Sequence, residues 1–157
     1  MELDMETKDR PAMRAGLAIL ASVALGAFAA NAAQPADIAG VWTNPKTNIR
    51  VRIGPCGAEL CGTIVWLKTP NDPQTGAPLT DRNNPDPANR NRPLVGLPMI
   101  IGLKPGRGGE WTGQVYLIND GQIHDASFSM DGPNGLKMEG CKLAGLLCSS
   151  QTWTRVN

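Results

Sequence analysis

Most of the candidate chemistry in this chain lies in one polar stretch, "TPNDPQTGAPLTDRNNPDPANRNRPLV", from Thr69 to Val95. Asp81, Asn83 and Asp86 supply oxygen atoms of the kind that hold Ca²⁺, but the Asp-x-Asp-x-Asp-Gly layout and closing Glu of an EF-hand are missing. The same short side chains bond nearby backbone groups in Asx turns, a reading that needs no metal. Arg82, Arg90 and Arg92, with Asn83 and Asn89, could clamp an anionic head group, since the guanidinium fork matches a carboxylate or phosphate. A solvated loop is the competing reading. The only histidine, His124, shares an alternating face with Ala126, Phe128 and Met130. If that face is inward, His124 could act as a general base with Asp81 or Asp86 as its carboxylate. There is no Gly-x-Ser-x-Gly elbow, phosphate-cradling glycine loop or metal triad. Nothing in the sequence calls for a cofactor or a metal, and binding is favoured over catalysis.

The four cysteines form two local groups, Cys56 with Cys61 and Cys141 with Cys148. Their spacings fit neither a zinc site, which usually shows two to four residues between Cys ligands, nor a Cys-x-x-Cys redox pair. An even count in an exported chain argues for disulfides. The local pairing, Cys56–Cys61 and Cys141–Cys148, is the most economical. It places each pair face to face across a hairpin, where strand backbones come close enough to be bridged. Such short loops allow roughly 2–2.5 kcal/mol per bridge.

Export is read from the N-terminus. From Met13 the chain runs "MRAGLAILASVALGAFAANAAQPADIAG": a basic residue, an uncharged apolar run, then small residues. Ala30-Asn31-Ala32 has the small-x-small form of a signal-peptidase site, which predicts a leader over 1–32 and a single domain over 33–157. The apolar run is short for a membrane span, which needs about 20 residues. The acidic first twelve residues suit no signal peptide, so Met13 is an alternative start. The leader holds three basic and four acidic residues. Of the 15 basic and 14 acidic residues in the chain, 12 and 10 therefore remain in the mature part, a net charge of +2. That balance excludes nucleic acid as the expected partner. It leaves room for peripheral association with the envelope and leaves the oligomeric state open. The expected location is the periplasm.

The elements that must position these residues are short strands. "NIRVRI" alternates cleanly, with Ile49, Val51 and Ile53 on one face and Arg50 and Arg52 on the other, as a half-buried strand requires. "IAGVWT", "LCGTIVWL", "GLPMIIGL", "EWTGQVYLI", "QIHDASFSM", "GLKMEG" and "SQTWTRV" bring the set to about eight, separated by turn signals such as "KPGRGG", "NDG" and "DGPNG". The mature part carries no sustained helical period. Such a meander hides its edges most simply by closing into a small antiparallel barrel. The polar stretch interrupts it as one long loop, with room for a short helical turn. Loops of that length inside a compact domain are usually functional or disordered.

"GVW" on the first strand and "WTR" on the last resemble the lipocalin and calycin barrels. That resemblance implies that Gly40 and Trp42 pack against Arg155, where a guanidinium over an indole face is favourable. The series "GVW", "CGAELCGTIVWL", "DRNNPDPANRNRPLVGLPMI", "W..G.VY", "LKMEGC" and "SQTWTR", in that order, is similar to a bacterial envelope family, domain of unknown function 2147. The likeness covers nearly the whole mature part. It implies an exported, lipocalin-like all-β protein and brings no established activity.

The expected function is therefore binding of a small apolar or amphipathic ligand. Trp66, Trp111, Phe128 and Met130 would meet its apolar part, and Arg82, Asn83, Asn84 and Arg92 its polar head. Two alternatives stand beside it: a small hydrolase- or isomerase-type envelope enzyme built on His124 with Asp81 or Asp86, and a structural or stress-related protein whose barrel is filled by side chains.

Overall fold

The computed structural model describes residues 37–142 and 147–157; the leader read above lies outside them. Eight antiparallel strands follow one another round a closed barrel. They are β1 (Gly40–Thr43), β2 (Ile49–Cys56), β3 (Glu59–Leu67), β4 (Pro98–Pro105), β5 (Trp111–Leu117), β6 (Gln122–Asp131), β7 (Gly135–Lys142) and β8 (Leu147–Arg155). The meander expected from the sequence is the observed topology. Period-2 alternation does the work, as β2 shows: Ile49, Val51 and Ile53 are buried while Arg50 and Arg52 look outward.

Because neighbouring strands run in opposite directions, the connections gather at two ends. The short turns after β2, β4 and β6 share one end with residues 37–39 and the C-terminus. The 44–48 turn, the long 68–97 connection and the β5–β6 turn share the other. The first end is filled. Trp42, Phe128, Leu136, Leu103 and Ile53 are almost completely buried there, and Ile38 joins them.

The barrel closes through a short seam. β1 meets β8 only at Trp42↔Arg155 and Thr43↔Thr154. The Arg155 guanidinium stacks on the Trp42 ring with its carbon 4.2 Å from the ring centre. It also donates to the carbonyls of Ala39 (2.8 Å) and Asp37 (3.3 Å). Trp42 donates its indole N–H to the carbonyl of Ile38 at 2.9 Å. Gly40 is required beside this stack. Its φ is +140°, and a Cβ there would sit 2.6 Å from Arg155 Nη1. The arrangement of Gly40, Trp42 and Arg155 is the one the resemblance implied.

Both disulfides are the local ones, Cys56–Cys61 and Cys141–Cys148. Cys141 and Cys148 face each other directly across β7 and β8. The first bridge departs from the face-to-face expectation and runs diagonally. The two-residue turn at Gly57-Ala58 pairs Cys56 with Glu59 and leaves Cys61 opposite Gly54.

Replacing Arg155 by Ala should lower unfolding free energy by about 1–2 kcal/mol, through the lost stacking and stem packing. Urea unfolding curves of the two proteins measure it, and an unchanged midpoint would make Arg155 a surface charge only.

Candidate functional site

The inside of the barrel is not uniform. Trp111 opens β5 and pairs with Phe128 on β6, and Met130 pairs with Leu136. All these positions lie toward the filled end, where Trp111 and Met130 pack against the core. The opposite, loop end is hollow: a cavity of ≈ 940 Å³ opens there. Ile49 of β2, Leu67 of β3, Met99 of β4 and Leu117 of β5 supply apolar walls, and Gln151 and Trp153 come from β8. Leu79 and Leu94 reach in from the long loop, and Lys46 and Lys68 stand in the connecting segments at the mouth. A smaller hollow of ≈ 320 Å³ adjoins it through the shared residues Leu117 and Gln151. These volumes suit a small organic molecule.

A third hollow, of ≈ 910 Å³, lies on the outer face of the sheet. It is lined by outward residues such as Thr112, Gln114 and Asp125. Two of its charges already pair, Lys104 with Glu59 at 2.9 Å. It lies open on the outer surface instead of within the barrel walls and is crossed by that ion pair, which makes it the weaker candidate for enclosing an apolar ligand.

The expected aromatic lining is therefore corrected. Phe128, Trp111 and Met130 belong to the packed end, and Trp66 is outside the barrel altogether, 37 % exposed. Strict alternation from Ile64 would turn Trp66 inward. A bulge breaks it: Val51 pairs with Ile64, but the next residue back, Arg50, pairs with Trp66. The extra residue reverses the facing of everything after it. Leu67 then lines the cavity in place of Trp66, whose ring carries the Arg50 guanidinium at 4.5 Å on the outer surface. Ile49, Leu67, Leu117 and Trp153 line the cavity; of these the sequence pattern marked Ile49 as facing inward, and nothing in it marked any of them as cavity wall.

His124 does face inward with Ala126 and Phe128, as its strand pattern suggests. The Asp81–His124 and Asp86–His124 pairings do not form. His124 sits opposite Val115 in the β5–β6 register, so the adjacent Tyr116 points out of the barrel. Asp81 bonds Tyr116 on that outer side, and Asp86 accepts from the Ala88 N–H at the start of the short 3-10 turn Pro87–Asn89. The carboxylate near His124 is that of Asp120, 3.5 Å from Nε2.

The loop's polar residues turn out to anchor it. Asp81, 1 % exposed, accepts from the Tyr116 hydroxyl at 2.7 Å and from the Asn84 amide at 2.8 Å. Arg92 donates to it from Nε at 3.0 Å and Nη2 at 2.9 Å. Burial pushes the Asp81 carboxyl up, but the donors from Tyr116, Asn84 and Arg92 outweigh it and hold the pKa below its ordinary value. Burial, and then the carboxylate beside it, raise the Tyr116 hydroxyl. Asn83 donates to the carbonyls of Ile118 and Asn119. It presses so closely on the β5–β6 turn that a Cβ on Gly121, at φ +69°, would run into the Asn83 carbonyl. Arg92, Asn83 and Asn84 are thus occupied in holding the loop, and Arg82 lies on the surface 3.7 Å from Asp72. The head-group clamp is corrected to a structural latch, and the Asx reading of the loop describes it better. Asp72 likewise accepts from the backbone of Gln74 and Thr75.

The comparisons agree with this architecture. The model of a family described as "Uncharacterized protein conserved in bacteria (DUF2147)" matches residues 40–155. No curated protein matches the chain. A solved structure described as "Protein HP1028 from the human pathogen Helicobacter pylori belongs to the lipocalin family" is similar, with a TM-score of 0.63 and 16 % identity over 77 % of this chain and 84 % of that one. At that identity the likeness is one of fold.

The Asp81 latch predicts an acid response. Its folded pKa lies below the unfolded value of about 3.9. The stability it contributes is complete above that value and is lost as pH falls through the lower, folded one. Tyr116→Phe should cost about 1–3 kcal/mol at neutral pH by stripping a donor from a buried carboxylate. Asp81→Asn should flatten the fall of the urea midpoint between pH 5 and pH 2, on the scale of about one carboxylate. Equal acid profiles for Asp81→Asn and the parent would remove Asp81 from that role.

Proposed function

The chain belongs to the DUF2147 family and folds as a lipocalin-like barrel, and on that premise we propose that it is an exported periplasmic protein that binds a small apolar or amphipathic molecule at the loop end. One observation carries the reading: a barrel filled at one end is hollow at the other. The ≈ 940 Å³ space there is walled by Ile49, Leu67, Met99, Leu117 and Trp153. A folded core spends its apolar side chains on one another, and interiors leave few voids larger than a water molecule. An apolar cavity of this size holds enough area for useful affinity, because each buried CH₂ contributes about 0.8 kcal/mol. Lys46 and Lys68 at the mouth suit a ligand whose exposed end is anionic. The latched loop contributes Leu79 and Leu94 to the lining while its polar atoms are satisfied by the barrel's outer face, so it can cover apolar space without exposing unpaired groups.

Export rests on the leader at the N-terminus and on two disulfides, which persist in oxidising compartments. N-terminal sequencing of the protein from its own periplasm should begin near Ala33; an uncleaved leader on a membrane-bound protein would overturn that part.

The binding test combines native mass spectrometry of periplasmic protein with titration by fatty-acid-like and aromatic compounds. A bound ligand should change tryptophan emission through Trp153, so the response should vanish in Trp153→Phe and survive in Trp66→Phe. Ile49→Trp, which fills the mouth, should abolish binding. Silence across both compound classes, with no retained molecule, would sink the proposal.

A further inference from the structure

Among the described residues three large apolar side chains are exposed: Trp66 at 37 %, Val95 at 44 % and Ile123 at 53 %. Single exposed apolar residues are ordinary on a protein surface. These three share a location. Trp66 is the last residue but one of β3, Val95 lies in the 68–97 connection and Ile123 is the second residue of β6, so all stand at the loop end of the barrel. The Gly96 N–H donates to the Ile64 carbonyl at 2.8 Å, and the Ile64 N–H to the Leu97 carbonyl at 3.0 Å. These bonds continue the β3–β4 pairing beyond β4 and bring Val95 alongside the last residues of β3, where Trp66 stands. The bulge that turns Trp66 outward thus places an indole on the rim of the cavity mouth.

Cations gather at the same end. Arg50 stacks on Trp66, Lys46 is in the 44–48 turn and Lys68 directly follows β3. Among the described residues none of the three forms an ion pair. The carboxylates of this end are engaged elsewhere: Asp72 lies near Arg82, Asp81 is buried under Arg92, Asp86 caps the Pro87–Asn89 turn and Asp120 stands beside His124. What is left is an apolar and cationic rim round the mouth, which Lys46 and Lys68 also line. The rim is broken, not continuous. Trp66 and Ile123 stand on β3 and β6, three strands apart in a barrel of eight. A protein partner requires one closely packed, complementary patch, whereas a fluid plane can meet separated points at once. Tryptophan is at home in such a plane, because its ring is apolar and its N–H can reach the polar head groups.

We infer that the loop end docks on the surface of an anionic phospholipid bilayer. Lys46, Arg50 and Lys68 meet lipid phosphates, and Trp66, Val95 and Ile123 sit at head-group level around the mouth. Arg50 can lie on the Trp66 ring and still donate to a phosphate in its own plane. Each cation and each apolar contact adds a modest increment, so docking is reversible. The cavity mouth then opens onto the membrane. Docking stands apart from the binding reading, since it holds whether or not the cavity takes a ligand.

The test sediments the full mature protein with vesicles of phosphatidylcholine alone and of phosphatidylcholine mixed equally with phosphatidylglycerol. The protein should pellet with the mixed vesicles, stay in solution with the neutral ones and be released by salt. Arg50→Ser and Lys68→Ser should each weaken binding about fivefold. Arg107→Ser removes the same charge from the turn after β4, at the filled end, and should leave binding unchanged. Equal losses from Lys68→Ser and Arg107→Ser would mean attraction by net charge without orientation, and would overturn the inference. A second measurement reads depth. Brominated phosphatidylcholine in the mixed vesicles should quench tryptophan emission, and Trp66→Phe should remove most of that quenching, because Trp42 and Trp153 are buried and Trp111 packs at the filled end. Undiminished quenching in Trp66→Phe would overturn the placement of the rim. Protein that ignores the mixed vesicles at low salt overturns docking and leaves the cavity reading standing; a dimer in such protein that Trp66→Ser dissociates would assign the rim to a second copy instead.

Discussion

Closure of the barrel through the Trp42–Arg155 stack is the interaction on which the rest depends. β1 is four residues long and meets β8 at only two register positions. Without that seam, β1 and β8 would each present unpaired N–H and C=O groups as an open sheet edge. The stack strengthens a thin joint by adding cation–π attraction and two carbonyl contacts from a single guanidinium. Planarity matters here: Arg can lie flat on the indole and still donate in its own plane, which a lysine ammonium cannot do. Gly40 makes the space for it. Sequence, local backbone and topology meet in these three residues.

Closing one end tightly has a consequence at the other. Trp42, Phe128, Leu136, Leu103 and Ile53 fill the closed half, and Trp111 and Met130 pack against them. The loop half must be walled by what remains, and Ile49, Leu67, Leu117 and Gln151 leave a hollow. The bulge in β3 adds to the asymmetry. By reversing the facing after Ile64, it sends the indole of Trp66 outward and puts the smaller Leu67 inside. Had the alternation continued, a tryptophan would occupy part of the space that is now open. One inserted residue thus shapes the cavity as much as any side chain lining it.

The long loop shows how polar residues can serve a fold. A connection over residues 68–97 carries many backbone groups that need partners, and a carboxylate buried as deeply as Asp81 is costly alone. Four hydrogen bonds from Tyr116, Asn84 and Arg92 offset that cost. Tyr116 is an outward residue of a barrel strand, so the loop is fastened to the sheet's outer surface while Leu79 and Leu94 turn toward the cavity. The latch and the lining are two faces of one segment.

The Gly40–Trp42–Arg155 closure was legible only through the resemblance of the chain's two ends to lipocalin and calycin barrels; by itself the sequence determined the strands, the meander and the local disulfides. These follow from period-2 patterning, turn residues and short loops, all of which are local. It also determined that the 69–95 stretch would be polar and turn-rich, with room for a short helical turn that the structure places at Pro87–Asn89. It could not determine which end of the barrel is hollow, because strand patterns say which residues face in and nothing of how far along the axis the large ones cluster. It misplaced Trp66, because a bulge is set by the pairing of two strands and leaves the alternation of either one unmarked. It misassigned Arg92 and Asn84, since whether a polar side chain meets a ligand or a buried carboxylate depends on Tyr116, distant in sequence and brought close only by the closed sheet.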